Sequence, residues 1–231
     1  MDDRQLLVRL AAGRLSGDAL ARDLGLTRAA VWKRIQGLRA AGLAIEGRAG
    51  DGYHLCQPLD LLDADAIRAA LPAATAAAIG GLDVLWSTSS TNTELLRRST
   101  PETGVEVVLA ERQTGGRGRR GRSWASPATA HIYLSLLRGF AGGLSRLGGL
   151  SLVAGVAVAE ALHACGHTGV QLKWPNDLVV DGRKLAGLLV EGGGEFAGPA
   201  RAVIGIGVNV RMPPAASADI GQPWVDLHGM A

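Results

Sequence analysis

From Leu82 onward the chain consists largely of short apolar segments of strand length, and this pattern constrains the fold more than any other feature. Segments rich in β-branched residues favour strands, whereas a longer uninterrupted apolar segment favours a helix. The predicted strands are LDVLW, VEVVLAE, HIYLSLL, VQLKW, DLVVDGRKLAGLLVE and AVIGIGVNV, and the predicted buried helix is RLGGLSLVAGVAVAEALHACG. Because strands and helices do not alternate regularly, the sequence predicts an α+β domain on a mixed or antiparallel sheet.

Residues 17–40 have the pattern of a helix-turn-helix. A short amphipathic helix ends at a Gly25-Leu26 turn, and Thr27 is placed to cap a second helix. In that helix the apolar residues repeat at spacings of four and three, which leaves the remaining positions free to contact DNA. The outward, candidate DNA-binding residues are Arg28, Ala29, Trp32, Lys33 and Gln36. An ordinary helical hairpin with a solvated basic face is the alternative.

A predicted hairpin at residues 43–56 follows the second helix at the distance expected for a wing. It alternates around a Gly50-Asp51-Gly52 turn, and together with the two helices it predicts a winged helix-turn-helix. We therefore expect three parts: a DNA-binding domain at 1–60, a linker helix and connector at 61–81, and a larger domain at 82–231.

Composition narrows the class of protein and its compartment. No apolar run reaches the length needed to cross a bilayer, and MDDRQLLVRL carries acids where a signal peptide would carry basic residues. The two cysteines, Cys56 and Cys165, form neither a disulfide nor a metal spacing pattern. We expect a soluble cytoplasmic protein without a membrane partner. A net charge of +3 is only mildly basic, so DNA binding depends on where the charges lie.

The stretch GRGRRGRSW, residues 116–124, matches two phosphate-binding motifs at once. Its glycines spell the G-x-G-x-x-G dinucleotide fingerprint, and its first eight residues spell a P-loop with Arg122 in place of lysine. Both motifs need a helix next, but Pro127 and the β-prone HIYLSLL leave no room for one. The remaining arginine loop is expected to be mobile alone and to order around an anion. A solvated loop or a nonspecific nucleic-acid patch is the alternative.

Several unusual strings occur in an order that resembles the biotin protein ligases. They are STN at 90–92, ERQTGGRGRRGRSWASP at 111–127, KWPNDLVVDGRKLAGLLVE at 173–191 and GIGVNV at 205–210. The preceding helix-turn-helix indicates the bifunctional type that also represses the biotin operon. The resemblance implies a class II synthetase-like catalytic domain. The implied reaction joins biotin and ATP into biotinyl-5′-adenylate and then transfers biotin to a lysine of a biotin carboxyl carrier protein.

The resemblance also implies roles for individual residues. Lys184 is the expected central catalytic residue, with Arg119 beside it. Asp177 is expected to orient or deprotonate the carrier lysine, with turn capping as the alternative. The expected biotin- and adenylate-binding residues are Ser90, Thr91, Asn92, Gln113, Arg117, Gly118, Arg119, Arg120, Arg122, Trp124 as a wall, Lys173 as a second cation, Lys184, and Asn209 on the adenine side.

Further ligands and partners follow from the resemblance. Mg²⁺ is expected to arrive with ATP, because the sequence contains no His or carboxylate cluster for a dedicated metal site. The expected partners are the carrier protein, operator DNA and a second copy of the chain when the adenylate is bound.

The chain departs from the family pattern in two places. It stops at QPWVDLHGMA, where the family continues through a helix and a small C-terminal β-barrel, so we expect that barrel to be absent. His131 stands in AHIYLS where relatives commonly have Asn, which we interpret as a local structural change. A lipoate or octanoyl ligase is the alternative of the same fold. A DNA-binding biotin sensor without catalysis is the alternative outside enzymes.

Overall fold

The computed structural model describes residues 3–48, 51–218 and 220–230. The chain forms two compact units, Met1–Leu61 with Pro127–Thr129, and Leu62–Ser126 with Ala130–Ala231. The predicted division at residues 60 and 81 stays a prediction. Among the described residues, no helix has both the length and the apolar character needed to cross a membrane.

Three helices and a two-stranded sheet form the smaller unit. They are α1 (Asp3–Ala11), α2 (Gly17–Leu24), α3 (Arg28–Ala40), β1 (Ile45–Arg48) and β2 (Gly52–Leu55). The side chains of Ser16 and Thr27 each accept a 3.1 Å hydrogen bond from the backbone N–H three residues on, which caps α2 and α3. The predicted Thr27 cap is therefore confirmed, and α3 ends before Gly42 as expected.

Helix α1 has no counterpart in the sequence-based prediction. It buries Leu6, Leu7 and Leu10 and packs against α2 and β2. Two adjacent leucines in a nine-residue segment give a weak helical period, so packing against the rest of the unit decides this helix.

The predicted hairpin of the wing is confirmed. Strands β1 and β2 pair antiparallel from Ile45 opposite Leu55 to Arg48 opposite Gly52, and Leu15 adds a bridge to Tyr53. Gly50 of the predicted turn lies outside the described residues.

A seven-stranded sheet organises the larger unit. Its elements are α4 (Ala64–Ala70), α5 (Ala73–Ala78), β3 (Ile79–Leu85), α6 (Thr91–Leu96), β4 (Val105–Ala110), β5 (His131–Phe140), α7 (Leu150–Ala164), β6 (Gln171–Lys173), β7 (Asp177–Val180), β8 (Arg183–Gly194), β9 (Ala200–Asn209) and α8 (Pro214–Ser217). The strand order is β3-β4-β5-β9-β8-β7-β6, with β3 and β4 parallel and all other neighbours antiparallel. The predicted α+β fold on a mixed sheet is confirmed.

The two faces of the sheet have different cover. On one face α7 contributes Ala159 and Leu162 to a core that includes Val208 of β9. On the other face α6 contributes Leu95 to a smaller core with Leu137 and Val203. Residues two apart on a strand share a face. The residues of β5 and β9 at even spacings from Leu137 and Val203 therefore lie on the α6 side.

Parts of the prediction for this unit are wrong. Helix α7 is not buried all round, since Val153 is 65% exposed and only Gly155, Ala159 and Leu162 are buried. Strand β3 begins at Ile79 rather than Leu82, because the alanine-rich connector ends as the short helix α5. The prediction that no α-helix follows the arginine loop is confirmed: the loop itself contains a 3₁₀ turn at Arg119–Gly121, and the next element is β5.

Candidate active site

A cavity of about 350 Å³ opens on the α6 side of the sheet. Its floor includes Gly187 of β8 and Gly205 and Gly207 of β9, with Gly187 directly opposite Gly207. The other lining residues are Ser90, Thr91, Asn92, Gln113, Arg117, Gly118, Arg119, Arg120, Arg122, Ser123, Trp124, Trp174, Pro175, Asn176, Asp177, Lys184, Leu188, Leu189, Ile206 and Gln222. The structure thus brings nearly all of the expected site residues to one cavity.

The floor glycines leave room for the side chains above them. A Cβ atom on Gly207 would lie 2.7 Å from the indole of Trp124, closer than real Cβ atoms approach other groups. A Cβ atom on Gly205 would overlap the amide of Asn92. These glycines let Trp124 and Asn92 lie directly on the sheet.

Lys184 carries its ammonium into the cavity beside a carboxylate and an aromatic ring. Its Nζ lies 2.8 Å from Oδ1 of Asp177 and 5.4 Å from the ring centroid of Trp124. The side chains of Lys184 and Asp177 are 19% and 25% exposed, so the pair is mostly shielded from water. A partly desolvated cation of this kind interacts strongly with an anion that displaces the carboxylate.

A bulge in β8 explains why Lys184 reaches this side of the sheet. Leu178 pairs with Ala186 and Val179 with Lys184, so Leu185 is an extra residue in β8. Residues three apart normally point to opposite faces, but the bulge puts Lys184 on the same side as Gly187. The Nζ of Lys184 would lie 3.3 Å from a Cβ atom on Gly187, which confirms that they are neighbours.

Hydroxyl and amide groups fill the end of the cavity next to α6. The Oε1 of Gln113 accepts from the backbone N–H of Thr91 at 3.0 Å and from its hydroxyl at 3.2 Å. The Oγ of Ser135 lies 2.7 Å from the Thr91 hydroxyl and 2.6 Å from Oδ1 of Asn92. The amide of Asn92 donates to Glu191 at 2.8 Å. Since these groups hold one another, their orientation is fixed before a ligand enters.

The arginine loop forms a hairpin in this structure, and its expected mobility without a ligand stays a prediction. The backbones of Arg117 and Ser123 form an antiparallel β-bridge, and the N–H of Gly118 donates to the carbonyl of Arg122 at 2.7 Å. The guanidinium of Arg117 donates to both oxygens of Glu191 at 2.8 and 3.1 Å and to the hydroxyl of Thr93 at 2.6 Å. A charged anchor and backbone bonds therefore offset the flexibility that the glycines provide.

Three arginines of the loop add positive charge to the cavity. Arg119 donates to Oδ1 of Asn176 at 3.3 Å, and within the described part of the chain no carboxylate pairs with Arg119, Arg120 or Arg122. The cavity thus offers an apolar wall, a polar end and surplus cations, which is an arrangement suited to a ligand with an acid chain and phosphates.

Two expected site residues lie elsewhere. Lys173 is exposed at the end of β6 and does not line the cavity. Asn209 is buried, and its amide donates to the carbonyls of Lys184 at 3.3 Å and Val225 at 3.1 Å. It connects β9 to the segment at Val225, which runs beside Lys184, and its expected place on the adenine side stays a prediction.

Sequence reasoning missed Glu191, Asn176 and Ser135. Asn176 donates to the carbonyl of Leu188 at 2.7 Å and accepts from Arg119, so it links the loop to β8. An acidic residue inside the apolar segment LAGLLVE was the available signal for Glu191.

His131 and Tyr133 on β5 are buried titratable groups near the sheet centre. Burial lowers the pKa of His131 to about 4, and its Nδ1 accepts from the N–H of Val210 at 3.0 Å. Burial also raises the pKa of Tyr133 above its ordinary value. Both groups are neutral near pH 7, and the interpretation of His131 as a local structural change relative to the family stays a prediction.

In the smaller unit the five candidate DNA-binding residues lie on the outer side of α3. Arg28, Ala29, Trp32 and Lys33 are exposed and Gln36 is half-buried, whereas Val31, Ile35 and Leu38 form the buried face. The Trp32 side chain is 57% exposed, which is unusual for tryptophan.

Comparison with known proteins shows which families match this chain. Residues 83–209 match the biotin/lipoate A/B protein ligase family, and residues 3–54 match an HTH domain. The chain is 42% identical over 224 residues to the bifunctional ligase/repressor BirA of Salmonella typhimurium, which covers 96% of this chain and 68% of that protein. It is 40% identical over 225 residues to BirA of Escherichia coli, covering 97% of this chain and 68% of that protein.

A solved structure leads to the same family. The biotin protein ligase from Aquifex aeolicus, in complex with biotin and ATP, superposes with a TM-score of 0.52 at 29% identity and covers 65% of this chain. This chain covers 61% of that structure and about two thirds of the length of the curated relatives. The match across 83–209 and the identity over almost the whole chain show that the chain belongs to the biotin/lipoate A/B protein ligase family.

Proposed function

We propose that this protein is an ATP-dependent biotin protein ligase that also acts as a DNA-binding repressor. The ligase proposal rests on one observation: Lys184, Trp124 and the arginine loop lie together over a floor of glycines. These residues belong to the sequence segments that resemble the biotin protein ligases. Biotin and ATP in the related Aquifex complex support these two substrates.

The polar end of the cavity suits the ureido ring of biotin. Ser90, Thr91, Asn92 and Gln113 supply hydroxyl and amide groups, and the ring needs both donors and acceptors. Trp124 supplies an apolar wall for the rest of the ligand.

The cationic end suits the activation step. The carboxylate oxygen of biotin attacks the α-phosphorus of ATP, and pyrophosphate leaves. Lys184, Arg119, Arg120 and Arg122 reduce the repulsion between these anions and stabilise the charge that develops. Because Asp177 neutralises Lys184 in the free protein, the incoming anions compete with Asp177 for the ammonium.

The transfer step uses the carboxylate of Asp177, which is released when the ligand binds the ammonium of Lys184. The amine of a carrier lysine attacks the acyl carbon of the adenylate, AMP leaves, and one amine proton must be removed. Asp177 at the start of β7 is positioned to orient that amine and accept the proton once Lys184 binds the ligand. Arg117 and Gly118 close the cavity and limit hydrolysis of the anhydride.

Mg²⁺ fits this site as a companion of ATP. Asp177 is the single carboxylate among the described lining residues and pairs with Lys184, so this cavity lining offers no carboxylate pair for a dedicated ion. A Mg²⁺ ion held mainly by the phosphates would supply charge neutralisation there.

A transfer assay tests the ligase proposal against its alternatives. The protein is incubated with labelled biotin and ATP, and a biotin carboxyl carrier domain is then added. Label on the carrier lysine supports the ligase, and adenylate without transfer supports activation alone. Absence of both products would contradict the ligase and favour a non-catalytic sensor, whereas lipoate used in preference to biotin would favour the lipoyl ligase.

A second function is supported by the smaller unit. It matches an HTH domain, exposes Arg28, Trp32 and Lys33 on α3, and is followed by a wing. We propose that α3 contacts operator DNA in the major groove and that a homodimer formed with bound adenylate reads two half-sites. Operator binding by the purified protein, compared with a scrambled duplex, tests this function.

A further inference from the structure

Three side chains that commonly bind metals meet on the wing, outside the candidate active site. Glu46, His54 and Cys56 each offer one ligand atom, and these atoms all lie within 4.8 Å of one another. We propose that the wing binds a divalent transition-metal ion, such as Zn²⁺, through this carboxylate, imidazole and thiolate.

The hairpin register brings the three residues together. Glu46 on β1 is directly opposite His54 on β2, so their side chains share one face. Cys56 lies two residues beyond His54, and its N–H donates to the carbonyl of Ala44 at 2.9 Å, which continues the ladder past β2. Residues two apart on a strand point to the same side, so Cys56 joins that face.

His54 has ligand capacity that the protein leaves unused. Its Nε2 lies 3.7 Å from Oε2 of Glu46, which is too long for a hydrogen bond, and its Nδ1 is buried without a partner among the residues the structure describes. Metal bonds of about 2.0–2.3 Å would place tetrahedral ligands roughly 3.3–3.8 Å apart. The exposed side chains of Glu46 and Cys56 can close this gap by rotation, and water completes the coordination.

Three arginines, Arg14, Arg39 and Arg48, line the pocket beside Glu46 and His54, so positive charge as well as the three ligands surrounds the proposed ion. Arg14 forms a salt bridge with Asp51, and Arg39 donates to the carbonyl of Ile45 at 2.8 Å. Binding removes the thiol proton of Cys56, so one proton is released for each ion, and thiolate and carboxylate together balance the 2+ charge. The ligand mixture of sulfur, nitrogen and oxygen favours Zn²⁺ over Mg²⁺ or Ca²⁺.

Titration of the reduced protein with Co²⁺ alone tests the site. We expect one Co²⁺ per chain, thiolate-to-cobalt absorption in the near ultraviolet, and loss of that absorption when Zn²⁺ is added. Cys56→Ser should abolish the absorption, and Glu46→Gln and His54→Ala should each weaken affinity by at least about tenfold.

Cys165→Ser is the matched control, because Cys165 is the other exposed free cysteine and should leave the titration unchanged. Circular dichroism of each variant checks that the fold is retained. The proposal is overturned if the parent protein shows no thiolate absorption. It is equally overturned if Cys165→Ser removes that absorption, or if one ion binds per two chains.

Discussion

Two glycines on the cavity side of the sheet, Gly187 and Gly207, determine how closely Trp124 approaches the backbone. We predict that Gly207→Ala displaces the indole and lowers biotin-dependent pyrophosphate exchange by on the order of tenfold to 100-fold, because small displacements at a reacting site are costly. Gly193→Ala on β8 is the control, since a Cβ atom there meets nothing within 4 Å. Equal activity of the two variants would argue against the Trp124 wall.

The buried imidazole of His131 predicts a specific pH dependence of stability. Its pKa is about 4 in the folded protein and near 6.5 in the unfolded chain, so the unfolded state binds more protons between these values. Its contribution is therefore complete above about pH 6.5 and is lost as the pH falls toward about 4.

Urea unfolding of the parent and of His131→Asn measures this effect, since an Asn oxygen can also accept from the N–H of Val210. Between about pH 7 and about pH 5 the parent should lose about 2 kcal/mol more free energy of unfolding than the variant. Identical pH dependence would contradict a neutral buried His131.

At the scale of elements, Glu191 of β8 holds the arginine hairpin through Arg117. We predict that Glu191→Gln increases tryptic cleavage at residues 117–122 by about fivefold, because a partly exposed pair contributes about 1 kcal/mol or less. Glu195→Gln just beyond the same strand is the control, and biotin with ATP should protect both proteins. Unchanged cleavage in Glu191→Gln would mean that backbone bonds alone hold the hairpin.

Local pattern predicted the elements better than it predicted their contacts. Pro127 and the β-prone residues after it correctly excluded a helix, and Thr27 correctly marked the start of α3. The bulge at Leu185 and the inward position of Asn209 depend on how β8 pairs with its neighbours, which no short window of sequence contains. The apolar composition of α7 likewise did not reveal that one side faces outward.

Ligation and DNA binding should separate by mutation, because their candidate residues lie in different units of the chain. We predict that Lys33→Ala weakens operator binding, because Lys33 is an exposed cation on α3. The number of counterions released on DNA binding, measured from the slope of log affinity against log salt concentration, should fall by about one. Biotin transfer by this variant should equal that of the parent. A loss of transfer, or unchanged DNA affinity across salt concentrations, would contradict this division.

Repression should also depend on self-association. If the adenylate promotes a dimer, linkage requires the dimer to strengthen adenylate binding equally, with a coupling of roughly 1–3 kcal/mol. Sedimentation and operator affinity with and without biotin and ATP measure this coupling. Bound ligand with no change in either quantity would contradict it.

If biotin and ATP react in the cavity at Lys184, biotin-dependent exchange of labelled pyrophosphate into ATP measures that reaction. Lys184→Ala should slow the exchange by on the order of 100-fold or more, because it removes the cation that lies against Asp177 and Trp124. Lys173→Ala, the same change at an exposed lysine outside the cavity, should stay close to the parent. Exchange by Lys184→Ala within a few-fold of the parent, or an equal loss in both variants, would contradict a catalytic role for Lys184 in this cavity.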